Sequence, residues 1–461
     1  MIQDEKRQQI LLYTTLVANC MANINTSTVN IALPTFMQIF QTDLSTAQWL
    51  MTGYMLALAM AMPLVGYFGD RYSYRRLYLT ALVLVAVFTL GCAVSQNIWM
   101  LITFRILKGL AAGFILPCSM TLIYRYIPRE KQASYLGLSV AFSSLGSTLG
   151  PSISGFLLTF FNWHSLFLVN LPLVSIAYAL AKNSIPAENG VKQGHIDIPG
   201  LCFMAVGTIL VLIGFSCVTD WGWVSTEFLI CLAAGISFIV VFIWMEQKSR
   251  DPVLNFMVLT YQPFAVAVMI TLAVNITFTI TPLLMAIYLQ TLQGYSAFEA
   301  GIIMIIPAFT MLVATGFARK LIKFLSNRYL ILLGLALAVL GNYAMHNTEI
   351  DSPLYLIIPM LSLRYFGLGM LNMPLSDYGM KVLPAELSGH GSSMLGWCKQ
   401  IAMVVWLNIM TAVLTISTNF YLGRGMQEAQ ASMCGVNTVF FVLACVLGLV
   451  WIAAFILTRK V

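Results

Sequence analysis

Apolar residues run along this chain in stretches of about twenty, parted by short polar turns, and the runs recur from one end to the other. Fourteen are read, at 10–33, 46–67, 76–95, 98–123, 133–159, 164–182, 197–217, 225–245, 263–289, 297–318, 329–346, 353–379, 389–417 and 434–457. Each has the length that a helix rising about 1.5 Å per residue needs to cross a hydrocarbon core about 30 Å thick. The longest polar stretches, near 183–196, 246–262 and 419–433, leave no room for a soluble domain. The pattern predicts an all-α integral membrane protein: a six-helix bundle over 1–182, two inserted spans with flanking loops over 183–262, and a second six-helix bundle over 263–461.

Composition agrees. The chain is 59% hydrophobic and 9% charged, with mean hydropathy +0.86, whereas soluble domains are about 25% charged. Its net charge of +7 reflects topology. With both termini cytoplasmic, nineteen of the 24 Lys and Arg residues fall in cytoplasmic segments and only Arg424 lies outside. That asymmetry supports an even span count and predicts no nucleic-acid partner. Lys6 and Arg7 precede a first run of about 24 residues without a small-residue cleavage site, so that run is expected to stay as a span. The nine cysteines show no CxxC spacing, the four histidines are scattered, and no HExxH, GxSxG or Walker A pattern occurs. Neither an enzyme nor a bound metal or cofactor is expected.

Four cations remain, inside the runs themselves: Arg105, Lys108, Arg364 and Lys399. A cation within a bilayer costs about 2.5–3.5 kcal/mol on insertion scales and marks a candidate functional site. Arg105 and Lys108, three residues apart, share a helix face and repel one another unless water or an anion intervenes. No carboxylate lies at comparable depth. Asp377 sits near a span end, four residues before Lys381, where a solvated pair is expected, and it is too far along its helix to neutralise Arg364. Asn19, Asn23, Thr26 and Asn30 give the first span a polar stripe, read either as a cavity wall or as interhelical hydrogen bonding. Asn25 beside that stripe and Asn275 in the ninth span complete the candidate binding or coupling residues. An electropositive, water-accessible chamber would favour anionic, zwitterionic or neutral solutes over lipophilic cations.

The strongest local motif is Gly66-Tyr-Phe-Gly69-Asp70-Arg71-Tyr-Ser73-Tyr-Arg75-Arg76, between the second and third spans. It resembles motif A of the major facilitator superfamily, GxLaDrxGrk, with Phe68 for Leu and Ser73 for the second Gly. Gly146-Ser-Thr-Leu-Gly150-Pro151-Ser-Ile-Ser-Gly155 is similar to the antiporter motif C, and Arg105 with Gly109 to motif B, Lys108 replacing its glutamine. Thr28-Val-Asn30-Ile-Ala-Leu-Pro34, Trp163-His-Ser-Leu-Phe167-Leu-Val-Asn170-Leu-Pro172 and Tyr288-Leu-Gln290-Thr-Leu-Gln-Gly294-Tyr-Ser296 narrow the likeness to the fourteen-span drug:proton antiporters.

That resemblance implies a major facilitator fold, a multi-pass protein of a bacterial inner or plasma membrane, and a monomer embedded in lipid. It implies proton-linked export of small amphipathic molecules by alternating access, gated through Gly66, Asp70, Arg71, Arg75, Gly150 and Pro151. Gly150-Pro151 is expected to bend the fifth span, either as a seal or as a plain packing kink. The chain departs from the family at Asn25, where the pattern has an aspartate, and an asparagine holds no proton. A proton-independent facilitator, an organic-anion exchanger and a transport-inactive sensor or scaffold therefore stand as alternatives.

Overall fold

The computed structural model describes residues 4–42, 44–187, 197–249, 252–322 and 324–457. Its regular elements are all helical: α1 (Glu5–Phe40), α2 (Leu44–Ala61), α3 (Leu64–Tyr72), α4 (Tyr74–Ala93), α5 (Ile98–Ala112), α6 (Ile115–Tyr126), α7 (Arg129–Phe160), α8 (Ser165–Leu168) and α9 (Asn170–Ser184). There follow α10 (Ile198–Ser216), α11 (Val218–Trp221), α12 (Thr226–Lys248), α13 (Gln262–Ala286), α14 (Ala297–Leu321), α15 (Asn327–His346), α16 (Leu354–Met380), α17 (Ser388–Gly423) and α18 (Glu428–Leu457). Side chains that satisfy the orphan amides of a first turn set several helix starts. Asp4 accepts from the Lys6 amide, Asn97 from Met100 and Ser225 from Phe228, while Ser296 and Glu299 form a reciprocal capping box.

Eleven segments among the described residues are long and apolar enough to cross a membrane, and α2 with α3, bent by 52°, makes twelve. The bend falls at Met62-Pro63. α1 and α7, at 36 and 32 residues, have the length but carry polar residues through their middles. α7 runs unbroken through Gly150-Pro151, and α13 holds Pro282 before passing into a π-helical turn at Ile287–Leu292.

The chain divides into two compact units, residues 1–261 with 383–401, and residues 262–382 with 402–461. In the first, α1 lies against α7 and α9, α2 against α5, and α4 against α5 and α9. Its core runs from Leu11, Tyr54, Tyr78 and Leu122 to an aromatic group of Phe36, Trp163 and Phe167. α10 and α12 pair closely, Gly235 packing on the backbone of Gly207 and Val211. The start of α17 joins this unit, where Trp397 Nε1 donates to Thr208 of α10 at 3.1 Å and its ring meets Phe242 of α12. In the second unit α16 packs on α13, α14 and α15, and α18 on α13 and α15, around Ile270, Ile331, Leu335, Leu368 and Leu447.

Candidate functional site

α5 reaches α2 closely enough to place charge in the core because Gly109 has no side chain. A methyl there would stand 2.5 Å from the Tyr54 carbonyl oxygen. One turn before that contact and directly before it, Arg105 and Lys108 are 1% and 0% exposed. Both donate to one atom, Asn25 Oδ1 of α1, Lys108 Nζ at 2.9 Å and an Arg105 Nη at 3.3 Å. Arg105 also donates to the carbonyl oxygens of Leu50 and Asn25, and its guanidinium lies 4.4 Å from the centre of the Tyr54 ring. Lys108 Nζ stands 5.7 Å from the Phe167 ring, and Asn25 Nδ2 donates to the Tyr54 hydroxyl at 3.5 Å.

Two cations sharing one acceptor lie within about 6 Å of each other, where their repulsion is about 3 kcal/mol at an effective dielectric near 20. The Asn25 dipole offsets part of that. None of the ion pairs among the described residues engages Arg105, Lys108 or Arg364. In this structure aromatic rings and helix backbone enclose both side chains.

Arg364 of α16 is likewise wholly buried. One of its nitrogens donates to the Thr277 carbonyl, its guanidinium stands 5.1 Å from the Tyr365 ring, and Nε and Nη1 have no hydrogen-bond partner. Lys399 is exposed, in contrast to the other three. Asp377 forms its expected pair with Lys381, at 2.7 Å, and also accepts from Asn327 Nδ2 at 2.8 Å. The pair is half dry rather than solvated, since Asp377 is buried. Asn23 bonds back to the Asn19 carbonyl of its own helix, as Thr26 does to Ala22, so this part of the polar stripe is partly satisfied locally. Asn275 is buried in α13. The side chains of Asn30 and Pro151 lie outside the described set.

The 66–76 segment forms a compact polar junction. Ser73 ends α3 and caps α4 with φ +93°, a conformation suited to glycine, which is why the family motif has glycine at that position. Gly66 is needed for close approach: a methyl there would press within 3.0 Å of the Gly389-His390 backbone. Asp70 faces Arg125 at 3.7 Å and His390 Nε2 at 3.9 Å, and accepts from the Tyr74 hydroxyl at 3.1 Å. Arg71 donates to the Tyr67 hydroxyl, and Arg75 to the Lys182 carbonyl at 2.9 Å. The Gly66 amide donates to Ser393, and Thr121 bonds Ser392 at 2.5 Å. Along α7, Gly150 is buried and Gly146 would press a methyl within 2.5 Å of the Cys20 carbonyl, so α7 and α1 meet through small residues. Sequence reasoning missed Tyr54, His390, Ser392 and Ser393, none of which stands in a motif or an unusual pattern.

The Major Facilitator Superfamily model matches residues 15–407. The uncharacterized transporter YhcA of Bacillus subtilis is 28% identical over 92% of this chain and 79% of its own. The lincomycin resistance protein LmrB of Listeria monocytogenes is 24% identical over 94% and 93%. Among solved structures, the human organic anion transporter MFSD10 matches with a TM-score of 0.65 at 14% identity, covering 98% of this chain and 100% of its own, a likeness that shows the fold alone. With the motif turn, the helical architecture and a family match running through most of its length, this chain belongs to the Major Facilitator Superfamily of membrane transporters.

Proposed function

We infer that the chain is a proton-linked exporter of small amphipathic molecules, anionic or neutral in preference to cationic, working by alternating access across the cytoplasmic membrane. The observation that carries the substrate class is the convergence of Arg105 and Lys108 on the neutral Asn25 Oδ1, with neither cation in an ion pair among the described residues. A solute carrying negative charge supplies what that site lacks, whereas a cation entering it meets about 3 kcal/mol of repulsion per neighbouring charge. The kinship with LmrB, whose name records lincomycin resistance, supports export of drug-like solutes. Counting α1, α7 and the bent α2–α3 pair with the eleven apolar segments gives the fourteen spans of the drug:proton antiporters.

The test is purified protein in liposomes, with anionic and cationic dyes followed under imposed pH and voltage gradients. The reading expects anionic flux to exceed cationic flux and to fall when Lys108 is replaced by Ala. Faster transport of the cationic dye by the unaltered chain would refute it.

A further inference from the structure

Outside the Asn25 site, one buried acid stands without its full complement of donors. Glu246, near the end of α12, is 3% exposed. Its Oε2 accepts from the Leu254 amide at 3.4 Å, where the chain folds back over it, and its Oε1 has no hydrogen-bond partner. The oxygen without a donor faces a second acid. A methyl built on Gly200 would stand 2.8 Å from Glu246 Oε1 and 2.7 Å from Asp197 Oδ2, so the two oxygens are within about 5.5 Å of each other. Asp197 caps α10, accepting from the Gly200 amide at 2.9 Å through Oδ1. No ion pair among the described residues reaches either acid, and Lys248, two residues on, rests its ammonium on the Trp244 ring. No group of three or more His, Cys, Asp or Glu residues is placed to hold a metal ion, again among the described residues.

We propose that Asp197 and Glu246 form a proton-binding site, the proton being carried by Glu246, and that its occupancy sets the strength of the polar junction around Asp70. A buried carboxylate lacking a donor and facing a second carboxylate is relieved by taking up one proton shared by the pair. A neutral carboxyl at Glu246 supplies the missing hydrogen itself, donating from Oε1 toward Asp197 Oδ2 directly or through one water.

Both sides of the pair are tied to the junction. The Asp197 amide donates at 3.1 Å to the Tyr67 hydroxyl, which also accepts from Arg71. On the other side, Asn255, next to the Leu254 held by Glu246, donates its amide at 3.3 Å to His390 Nδ1, and His390 Nε2 faces Asp70. Ionising Glu246 beside Asp197 pushes two acids apart inside packed surroundings, straining the Leu254–Asn255 and Tyr67 contacts together. The proposal deepens the transport reading, since it gives the two inserted helices a proton site that Asn25 does not provide.

The experiment needs no transported solute. Infrared difference spectra of the protein in nanodiscs between neutral and alkaline pH are expected to show loss of a protonated carboxylic acid band, absent in Glu246→Gln. Hydrogen exchange over 252–257 and 66–76, corrected for intrinsic rate, is expected to lose protection several-fold as that band disappears. Glu246→Gln, with a permanently neutral side chain, is expected to keep protection at alkaline pH.

The charged and titratable groups linked to the pair through these contacts are Tyr67, Asp70 and Arg71 of α3 and His390 of α17, with Lys248 of α12 two residues from Glu246. His390 is separated by His390→Asn, which keeps an acceptor for Asn255 and should leave the infrared band in place. A band unchanged in Glu246→Gln, a pH response abolished by His390→Asn alone, or a response that follows added sodium or magnesium at fixed pH would each overturn the proposal. Absence of any flux in liposomes would count against the transport reading and leave these readouts standing.

Discussion

At the scale of the residue, two of the positions where this chain departs from the family pattern have a physical consequence in the structure. Ser73 holds φ +93°, a strain of roughly 1–3 kcal/mol for a residue with a side chain. Its hydroxyl recovers only a cap to the Arg76 amide at 3.3 Å, and a Ser to Gly change at such a position costs a few tenths of a kcal/mol. Ser73→Gly is therefore expected to stabilise the protein by about 1 kcal/mol after glycine's larger unfolded-state entropy is counted. A thermal melt in detergent showing no rise, or a fall, would contradict this.

Asn25 is the second such residue. It bonds both cations without charge of its own, and Asn25→Asp converts both contacts into ion pairs. The expected gain is about 1–3 kcal/mol, seen in the same melt. The resemblance exposed both residues as misfits. It gave no sign of Glu246, whose place near Lys248 reads as a solvated helix end. Only the return of residues 252–255 over its carboxyl buries it.

At the scale of the element, apolar length made the spans legible, because a bilayer-crossing helix needs about twenty such residues whatever its partners. Interruptions were harder to read. Pro63 stands at the break between α2 and α3, whereas Pro151 and Pro282 sit inside continuous helices, so proline alone did not say where a helix is interrupted. Glycines likewise look alike in sequence and differ in what they touch. A methyl on Gly109 would meet the Tyr54 carbonyl, whereas one on Gly448 would have nothing within 4 Å. Gly109→Ala must push α5 off α2, at a cost of about 1–3 kcal/mol, and carry Tyr54 away from the Arg105 guanidinium. Gly448→Ala, inside α18 with open space for the methyl, is expected to leave stability unchanged or raise it by up to about 1 kcal/mol. A paired melt measures the contrast, and equal effects of the two variants would show that the α2–α5 approach is not tight.

At the scale of the whole molecule, the sequence showed a membrane transporter through composition, span spacing and the 66–76 motif, and it marked four cations within spans, of which Arg105, Lys108 and Arg364 are buried and Lys399 is exposed. The partners of those cations were not legible, because they depend on which helix faces which. Arg105 and Lys108 converge on α1 through a packing contact between α5 and α2 that no local pattern encodes. That convergence is a property of net charge, and charge can be exchanged without changing the fold. Asn25→Asp with Lys108→Gln takes the site from two positive charges to none, while a donor to residue 25 remains. If local charge selects the solute, the double variant in liposomes is expected to lose anionic-dye flux about tenfold relative to the parent and to gain cationic flux. A tenfold change corresponds to about 1.4 kcal/mol, less than the repulsion of about 3 kcal/mol between the two parent cations that the exchange abolishes. Selectivity unmoved by that reversal, with the variant folded as judged by its melt, would place the choice of substrate elsewhere in the protein.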